Sequence, residues 1–135
     1  MQPRTLLRAE GVAVFGLATA AYLWLDGPLW LYLLLALAPD LGMLGYFAGQ
    51  RLGSRTYNAV HTYVGPGLLV GLATWHAFTP GVLVGLVWAA HIGADRALAY
   101  GLKYPTAFNH THLGGSPAAR SDREVTPGPE PETAD

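Results

Sequence analysis

The sequence predicts an all-α protein, a four-helix transmembrane bundle in up-down-up-down order with a disordered C-terminal tail. Of its 135 residues 51% are hydrophobic and 13% are charged, whereas soluble domains carry roughly 25% charged residues. Four apolar stretches follow one another along the chain. Basic residues flank these stretches only at every second connection, an alternation that a soluble core would not require.

The predicted transmembrane domain covers residues 1–113, and its helices lie at about 6–25, 28–48, 57–78 and 80–102. A helix that spans a bilayer needs about 20 mostly apolar residues. The turn Asp26–Pro28 separates the first two helices, and residues 79–81 separate the last two. The polar, glycine-bearing stretch 49–56 (GQRLGSRT) predicts a turn before the third helix. Such short connections favour antiparallel neighbours.

The basic residues predict the orientation of the four helices. They precede the first helix, lie between the second and third, and follow the fourth, at Arg4, Arg8, Arg51, Arg55, Lys103, Arg120 and Arg123. The positive-inside rule then places both termini in the cytoplasm of a multi-pass protein of the inner (plasma) membrane. A cleaved signal peptide is the rival interpretation, but Glu10 at the head of the first apolar stretch disfavours it.

Composition also excludes several functions. The sequence contains no basic patch suited to nucleic acid, so a nucleic-acid partner is not expected. Cysteine is absent, which excludes disulfides, thiolate catalysis and Cys-ligated zinc. Residues 114–135 are rich in Pro, Glu and Ser and poor in apolar residues, which predicts a disordered acidic tail.

Ionisable side chains within predicted membrane helices are the main functional signal, because each is expensive to place in a bilayer. With about 1.5 Å of rise per residue, Asp40 lies about 18 Å below the outer end of its helix, and His91 and Asp95 lie about 16 and 22 Å below theirs. His61 lies about 6 Å from the cytoplasmic edge. All of them therefore fall at mid-depth or in the cytoplasmic half, which predicts one polar pocket that opens to the cytoplasm.

Spacing within the helices points to metal or acid/base chemistry. His91 and Asp95 are four residues apart and share a helix face, which suits two ligands of one metal or a carboxylate that orients an imidazole. Pro39 before Asp40 predicts a kink and a freed backbone carbonyl one turn earlier. Histidine and carboxylate sets suit a divalent ion such as zinc, manganese or iron.

We therefore predict two overlapping sets of site residues. The metal-ligand candidates are Asp40, His61, His91 and Asp95, and the catalytic candidates are Asp40, His91 and Asp95. The further binding candidates are Asn58, His61, Arg96, Tyr100 and Lys103. Simpler roles stay open, since Asp95 can neutralise Arg96 and Glu10 can be a first-turn acid favoured by the helix dipole.

The segment after the fourth helix carries two more histidines, His110 and His112. Together with Lys103, Tyr104 and Asn109 they are candidates for a lid over the cytoplasmic mouth of the pocket. An ordinary juxtamembrane segment is the alternative.

Three motifs, LAPDLGMLGY, YNAVHTYVGP and AHIGADRALAYGLKYPTAFNHTHLG, resemble a bacterial family of small integral membrane proteins of unknown function. The resemblance covers roughly residues 5–114 and implies the same four-helix membrane fold. It implies that the following residues belong to signature blocks: Pro39, Asp40, Tyr57, Asn58, His61, Gly65, Pro66, His91, Asp95, Arg96, Gly101, Lys103, Tyr104 and Pro105. It implies no activity.

Three functions follow from these observations. The first is an intramembrane enzyme, metal-dependent, that acts on a lipid or another amphiphile from the cytoplasmic leaflet. The second is a proton- or cation-linked binding or transport component, which would need a homodimer because four helices are few for a transporter. The third is a structural accessory protein whose polar cluster only holds the helices together.

Overall fold

The computed structural model describes residues 2–103, and this part of the chain is all-helical, as the sequence predicts. Its elements are α1 (Pro3–Trp24), α2 (Leu29–Ala36), a 3₁₀-helix (Ala38–Ala48), α3 (Gln50–Val60), α4 (Val64–Trp75) and α5 (Thr79–Ala97). The predicted tail at 114–135 and the predicted lid residues 104–113 lie outside the described residues.

Helix α5 is the centre of the arrangement, because α1, α2, the 3₁₀-helix and α4 all pack against it. Helices α1 and α5 approach each other closely, since a Cβ added to Gly11 would lie 2.7 Å from the Gly93 carbonyl oxygen. Near the same place Arg8 Nε donates a hydrogen bond of 2.9 Å to the Ala97 carbonyl. The start of α1 thus lies against the end of α5, and the two helices run antiparallel.

At the other end of α5, a small apolar cluster holds α1 and α2 together. Tyr22, Leu83 and Val87 are its buried members. The Tyr22 hydroxyl donates a 2.7 Å hydrogen bond to the Pro28 carbonyl, and its ring meets that of Tyr32 edge-on at 5.1 Å. A buried tyrosine needs a partner for its hydroxyl. Here that partner ties α1 to the start of α2.

The helix predicted at 28–48 is not continuous, because it changes from α to 3₁₀ geometry near Pro39. Proline has no N–H to donate, and the next amide, that of Asp40, donates to Leu37 at 3.2 Å. Runs of 3₁₀-helix longer than 3–4 residues are uncommon. Packing against α3 supports this one, since the Thr56 hydroxyl donates a 2.7 Å hydrogen bond to the Gly42 carbonyl.

The turn predicted at 49–56 is wrong, because α3 begins at Gln50. Only Gly49 has turn geometry, with a φ of 118°. Gly53, Ser54 and Tyr57 form the buried face of α3, while Arg51 points outward. The segment has few apolar residues of its own, so its helix depends on packing against the 3₁₀-helix.

The predicted third and fourth helices also need correction. The helix predicted at 57–78 is interrupted between Val60 and Val64, because Pro66 is tolerated only in a first helical turn. The fourth helix ends at Ala97 rather than at residue 102, because Ala99 adopts a left-handed φ of 68°. The Tyr100 amide then donates back to the Asp95 carbonyl at 2.7 Å.

The surface of the described residues is strongly apolar. Two helical stretches, Pro3–Trp24 and Leu29–Ala48, are long and apolar enough to cross a membrane, and only 17% and 6% of their apolar windows are buried. Eight apolar residues are buried between residues 2 and 103, whereas 26 large apolar side chains are exposed. The helices therefore present apolar side chains outward and keep polar ones between them.

Candidate metal centre

Four of the predicted ligands converge on one point between the helices. Asp40 comes from the 3₁₀-helix, His61 from the end of α3, and His91 and Asp95 from α5. Their ligand atoms all lie within 4.8 Å of one another. We call this set, Asp40, His61, His91 and Asp95, the four-residue cluster.

The distances inside the four-residue cluster fall in a narrow range. The two histidine Nε2 atoms are 3.2 Å apart. His61 Nε2 lies 3.6 Å from Asp40 Oδ1 and 3.4 Å from Asp95 Oδ2. His91 Nε2 lies 3.5 and 3.6 Å from the same two oxygens. The i, i+4 pair of α5 thus meets as its spacing predicts.

Backbone carbonyls hold both imidazole rings in one tautomer. His61 Nδ1 donates to the Tyr57 carbonyl at 2.9 Å, and His91 Nδ1 donates to the Ala36 carbonyl. A carbonyl oxygen only accepts hydrogen bonds, so each Nδ1 carries the ring proton. When neutral, each ring presents the lone pair of Nε2 to the cluster.

The Ala36 carbonyl that holds His91 is freed by the change of helix geometry at Pro39. It lies one residue along from the Leu35 carbonyl, whose α-helical donor the proline removes. In an unbroken α-helix the Asp40 amide would donate to Ala36 O, but here it donates to Leu37 O. The Ala36 carbonyl is therefore available, and His91 Nδ1 takes it. The break at Pro39 thus leaves the Ala36 carbonyl free to accept the hydrogen bond that orients His91 of α5.

Tyr57 is a member of the site that the sequence argument did not select. Its ring stacks on His61 with centroids 3.7 Å apart and an angle of 11° between the planes. Its hydroxyl donates a long hydrogen bond of 3.4 Å to Asp95 Oδ2. The available signal was spacing, because Tyr57 lies one helical turn before His61.

The two carboxylates differ in their access to the surroundings. The Asp95 side chain is 20% exposed and contacts Tyr57, whereas the Asp40 side chain is 43% exposed. Both line a cavity of about 430 Å³, whose other residues are Met43, Tyr57, Tyr100 and Lys103. Asp40 is thus the more exposed of the two carboxylates that line the cavity.

Lys103 is held at this cavity by Asn58, another predicted binding residue. Asn58 Nδ2 donates to the Lys103 carbonyl at 2.8 Å, and the Lys103 amide donates to Asn58 Oδ1 at 2.7 Å. The Lys103 ammonium lies 4.6 Å from the centroid of the Tyr57 ring. Burial lowers the pKa of Lys103 to about 8, although the nearby carboxylates of Asp95 and Asp40 act in the opposite direction.

On the other side of Pro39 lies an apolar groove of about 200 Å³, lined by Leu35, Ala38, Pro39, Val60, Val84 and Trp88. Trp88 Nε1 donates a 2.6 Å hydrogen bond to the Val60 carbonyl, which fixes the indole beside His61. The polar cavity is therefore lined by members of the four-residue cluster, and the apolar groove is lined by Pro39 and Val60, the residues that precede Asp40 and His61.

The remaining predicted residues lie around the cluster rather than in it. Arg96 Nη2 donates to the His61 carbonyl at 3.1 Å, so it braces the backbone of a cluster histidine. Tyr100 lines the cavity and is 54% exposed. Glu10 is exposed and is not a member of the cluster. Tyr104, Asn109, His110 and His112 lie outside the described residues.

Comparison with known proteins agrees with the extent of the resemblance found in the sequence. The profile of a domain of unknown function (DUF4260) matches residues 4–115. No curated protein and no solved structure matches the chain.

Proposed function

Since the chain belongs to the DUF4260 family, a family of unknown function, we propose its activity from the site: a four-span membrane metalloenzyme of the hydrolase class. The four-residue cluster would bind one divalent ion of the zinc type at the cytoplasmic side of the bilayer. The observation that carries the proposal is the convergence of two histidine lone pairs and two carboxylates on one point.

The exposed apolar surface supports the membrane location. A water-soluble protein rarely exposes large contiguous apolar patches, whereas lipid requires them. Three exposed tryptophans, Trp24, Trp30 and Trp75, lie at or near the α1–α2 and α4–α5 connections, where an interfacial aromatic belt would lie. Arg51 and Arg55 lie in the first turns of α3, at the opposite end from these tryptophans along the chain's up-and-down path, in agreement with cytoplasmic termini.

The spans would be α1, α2 with the 3₁₀-helix, α3 with α4, and α5. Because the chain has no cysteine, single cysteines can report this topology. In intact cells, a membrane-impermeant maleimide should label Trp24→Cys and His76→Cys, and should label Gln50→Cys only after permeabilisation. Labelling of all three positions from one side contradicts the four-span arrangement.

The hydrogen-bonding pattern supports a metal ion over a simple polar contact. Two neutral Nε2 atoms 3.2 Å apart repel each other unless positive charge lies between them. Protons on both Nε2 atoms would satisfy the histidines and carboxylates in separate pairs, whereas one metal ion serves all four acceptors at once. Metal-bound histidines characteristically donate the other ring N–H to a carbonyl or carboxylate, as both rings do here.

The distances favour a tetrahedral ion. A tetrahedron with about 2.0–2.2 Å between ion and ligand has edges of about 3.3–3.6 Å. An octahedron of about 2.1 Å radius has shorter edges, of about 3.0 Å. Five of the six separations between the ligand atoms run from 3.2 to 3.6 Å, and all six lie within 4.8 Å. A zinc-type ion therefore fits better than magnesium.

The unequal exposure of the carboxylates supports catalysis. His61, His91 and Asp95 are enclosed and suit permanent ligands, while Asp40 faces the cavity and suits an exchangeable ligand and general base. A divalent ion at such a site would lower the pKa of a bound water to about 7. Asp40 would accept the proton of the attacking water as its oxygen bonds to the electrophilic atom of an ester. The bond from that atom to the leaving oxygen would then break, and the leaving oxygen would take the proton from Asp40, so that one water is added overall and the carboxylate is regenerated.

Metal content tests the centre. We expect one zinc per chain after equilibration of the purified protein in zinc buffer, both in the wild type and in His76→Ala, whose histidine is exposed and outside the cluster. His61→Ala and His91→Ala should lose the ion. X-ray absorption at the zinc edge should show two nitrogen and two oxygen ligands at about 2.0–2.2 Å. Equal zinc in His91→Ala and His76→Ala would exclude the centre.

Hydrolysis is tested separately with Asp40→Asn, using 4-nitrophenyl esters of octanoate and of phosphate in mixed micelles. This variant should keep zinc and lose about 10²–10⁴-fold in kcat, the usual contribution of a general base. If Asp40→Asn keeps both its zinc and the wild-type kcat, Asp40 is not the general base. If the zinc-loaded wild type has no activity, the structural alternative is favoured.

A further inference from the structure

The cavity beside the four-residue cluster contains the chain's only lysine. Lys103 is 7% exposed and shares the cavity wall with Asp40, Tyr57 and Asp95. Burial of an ammonium group costs free energy, because it disfavours the charged form. The location of Lys103, in the wall of the same cavity as both carboxylates of the proposed centre, points to a role toward a ligand.

The charges of the cavity change sign when the proposed centre is loaded. The carboxylates of Asp40 and Asp95 carry two negative charges, and a divalent ion neutralises both. The ammonium of Lys103 then leaves the cavity with a net positive charge. A loaded site therefore attracts anions in a low-dielectric environment, where such attraction is strong.

The apolar groove adds a second requirement on the ligand. Pro39 lines the groove and Asp40 lines the cavity, so consecutive residues of the 3₁₀-helix face the two spaces. Val84 in the groove wall is 37% exposed, so the groove opens at the apolar surface of the helices. A ligand that fills both spaces has an anionic end and an apolar chain.

We propose, on the basis of the proposed function, that the substrate is a phosphorylated lipid, with its phosphate bound by Lys103 in the cavity and one acyl chain in the groove beside Trp88. Lysine is a common phosphate ligand in proteins because its ammonium acts as a compact charge. A phosphate at this place also lies next to Asp40, the proposed base.

Asn58 is the positioning residue of this arrangement. Its two hydrogen bonds to the backbone of Lys103 fix the segment that follows α5 against α3. Asn58→Ala should therefore weaken lipid binding without changing the metal content, since Asn58 is not a member of the cluster.

Quenching of Trp88 by brominated acyl chains tests the proposal. In a variant in which Trp24, Trp30 and Trp75 are replaced by Phe, Trp88 is the remaining tryptophan. The zinc-loaded protein is placed in phosphatidylcholine nanodiscs that contain phosphatidic acid or diacylglycerol with the same brominated chains. Phosphatidic acid should quench Trp88 at a mole fraction about tenfold lower than diacylglycerol, the scale of one charge-assisted contact.

The control compares two cations. Lys103→Gln should abolish the preference for phosphatidic acid, while Arg55→Gln, which removes an exposed cation, should keep it. Equal quenching by the two lipids, or an equal loss in both variants, overturns the proposal. Relief of quenching by millimolar inorganic phosphate would show a site for free phosphate and would overturn the assignment to a lipid.

The two proposals fail in different ways. If the protein binds no zinc yet keeps a Lys103-dependent preference for phosphatidic acid, the metal centre fails and the lipid site stands. If zinc binds at one ion per chain but Trp88 shows no preference, the lipid site fails and the metal centre stands.

Discussion

The contact between α1 and α5 offers a sharp test of the packing, because one methyl group should be enough to disturb it. In Gly11→Ala, the added Cβ would lie 2.6 Å from Arg96 Cβ, 2.7 Å from the Gly93 oxygen and 2.8 Å from the Ala97 nitrogen. Two of these neighbours are backbone atoms, which cannot rotate away. The helices must therefore separate at the end of α5 that carries Asp95.

The magnitude follows from two opposing effects. Overpacking of a close contact costs about 1–3 kcal/mol. Replacing a helical glycine by alanine stabilises the helix by about 0.5–1 kcal/mol. Gly11→Ala should therefore lower the free energy of unfolding by roughly 1–2 kcal/mol.

Gly16 is the matched control, since it lies in the same helix and an added Cβ meets nothing within 4 Å. Gly16→Ala should raise the free energy of unfolding by up to about 1 kcal/mol. Both variants can be unfolded reversibly by SDS in mixed micelles, with circular dichroism as the signal. Gly11→Ala should also bind zinc more weakly, because His91 and Asp95 move with α5.

Equal stability of Gly11→Ala and Gly16→Ala would refute the close approach of α1 and α5. If Gly11→Ala is less stable but binds zinc with unchanged affinity, the close packing of α1 and α5 is supported and its coupling to the metal centre is refuted.

Three further measurements test other contacts. Amine labelling of Lys103, followed by peptide mass spectrometry, should rise with a midpoint near pH 8, because burial lowers its pKa to about 8 and the deprotonated amine is the reactive form; a midpoint above pH 10 contradicts the burial. Thr56→Val should cost about 1 kcal/mol of stability, because it removes the hydrogen bond to Gly42, whereas exposed Thr74→Val should stay within about 0.5 kcal/mol. Tyr57→Phe should weaken zinc binding about tenfold, because it removes the hydroxyl partner of Asp95 and keeps the ring on His61; unchanged affinity refutes this role.

Local features of the sequence were sufficient for much of the candidate centre. Asp40, His61, His91 and Asp95 stand out because they are ionisable groups in or beside apolar stretches, and a helix brings residues four apart onto one face. Pro39 predicted a freed carbonyl, and the Ala36 carbonyl is the acceptor that His91 uses. These inferences need only one helix at a time.

Other features depend on contacts between helices and could not be predicted. The polar stretch at 49–56 resembles a turn, yet it is helical because Gly53, Ser54 and Tyr57 pack against the 3₁₀-helix. Ala99 ends α5 early, and the chain then returns so that Asn58 can clamp Lys103, 45 residues away.

The sequence by itself determined that the chain is helical and which side chains are too polar for their apolar surroundings. Periodicity and composition are local properties, so they identify elements and candidate ligands. Only the tertiary structure decided that four ligand atoms from three elements lie within 4.8 Å of one another, with each histidine Nε2 3.2–3.6 Å from its neighbours in the cluster. That geometry depends on how the helices rotate about their axes and break at Pro39 and before Pro66, which packing between helices sets.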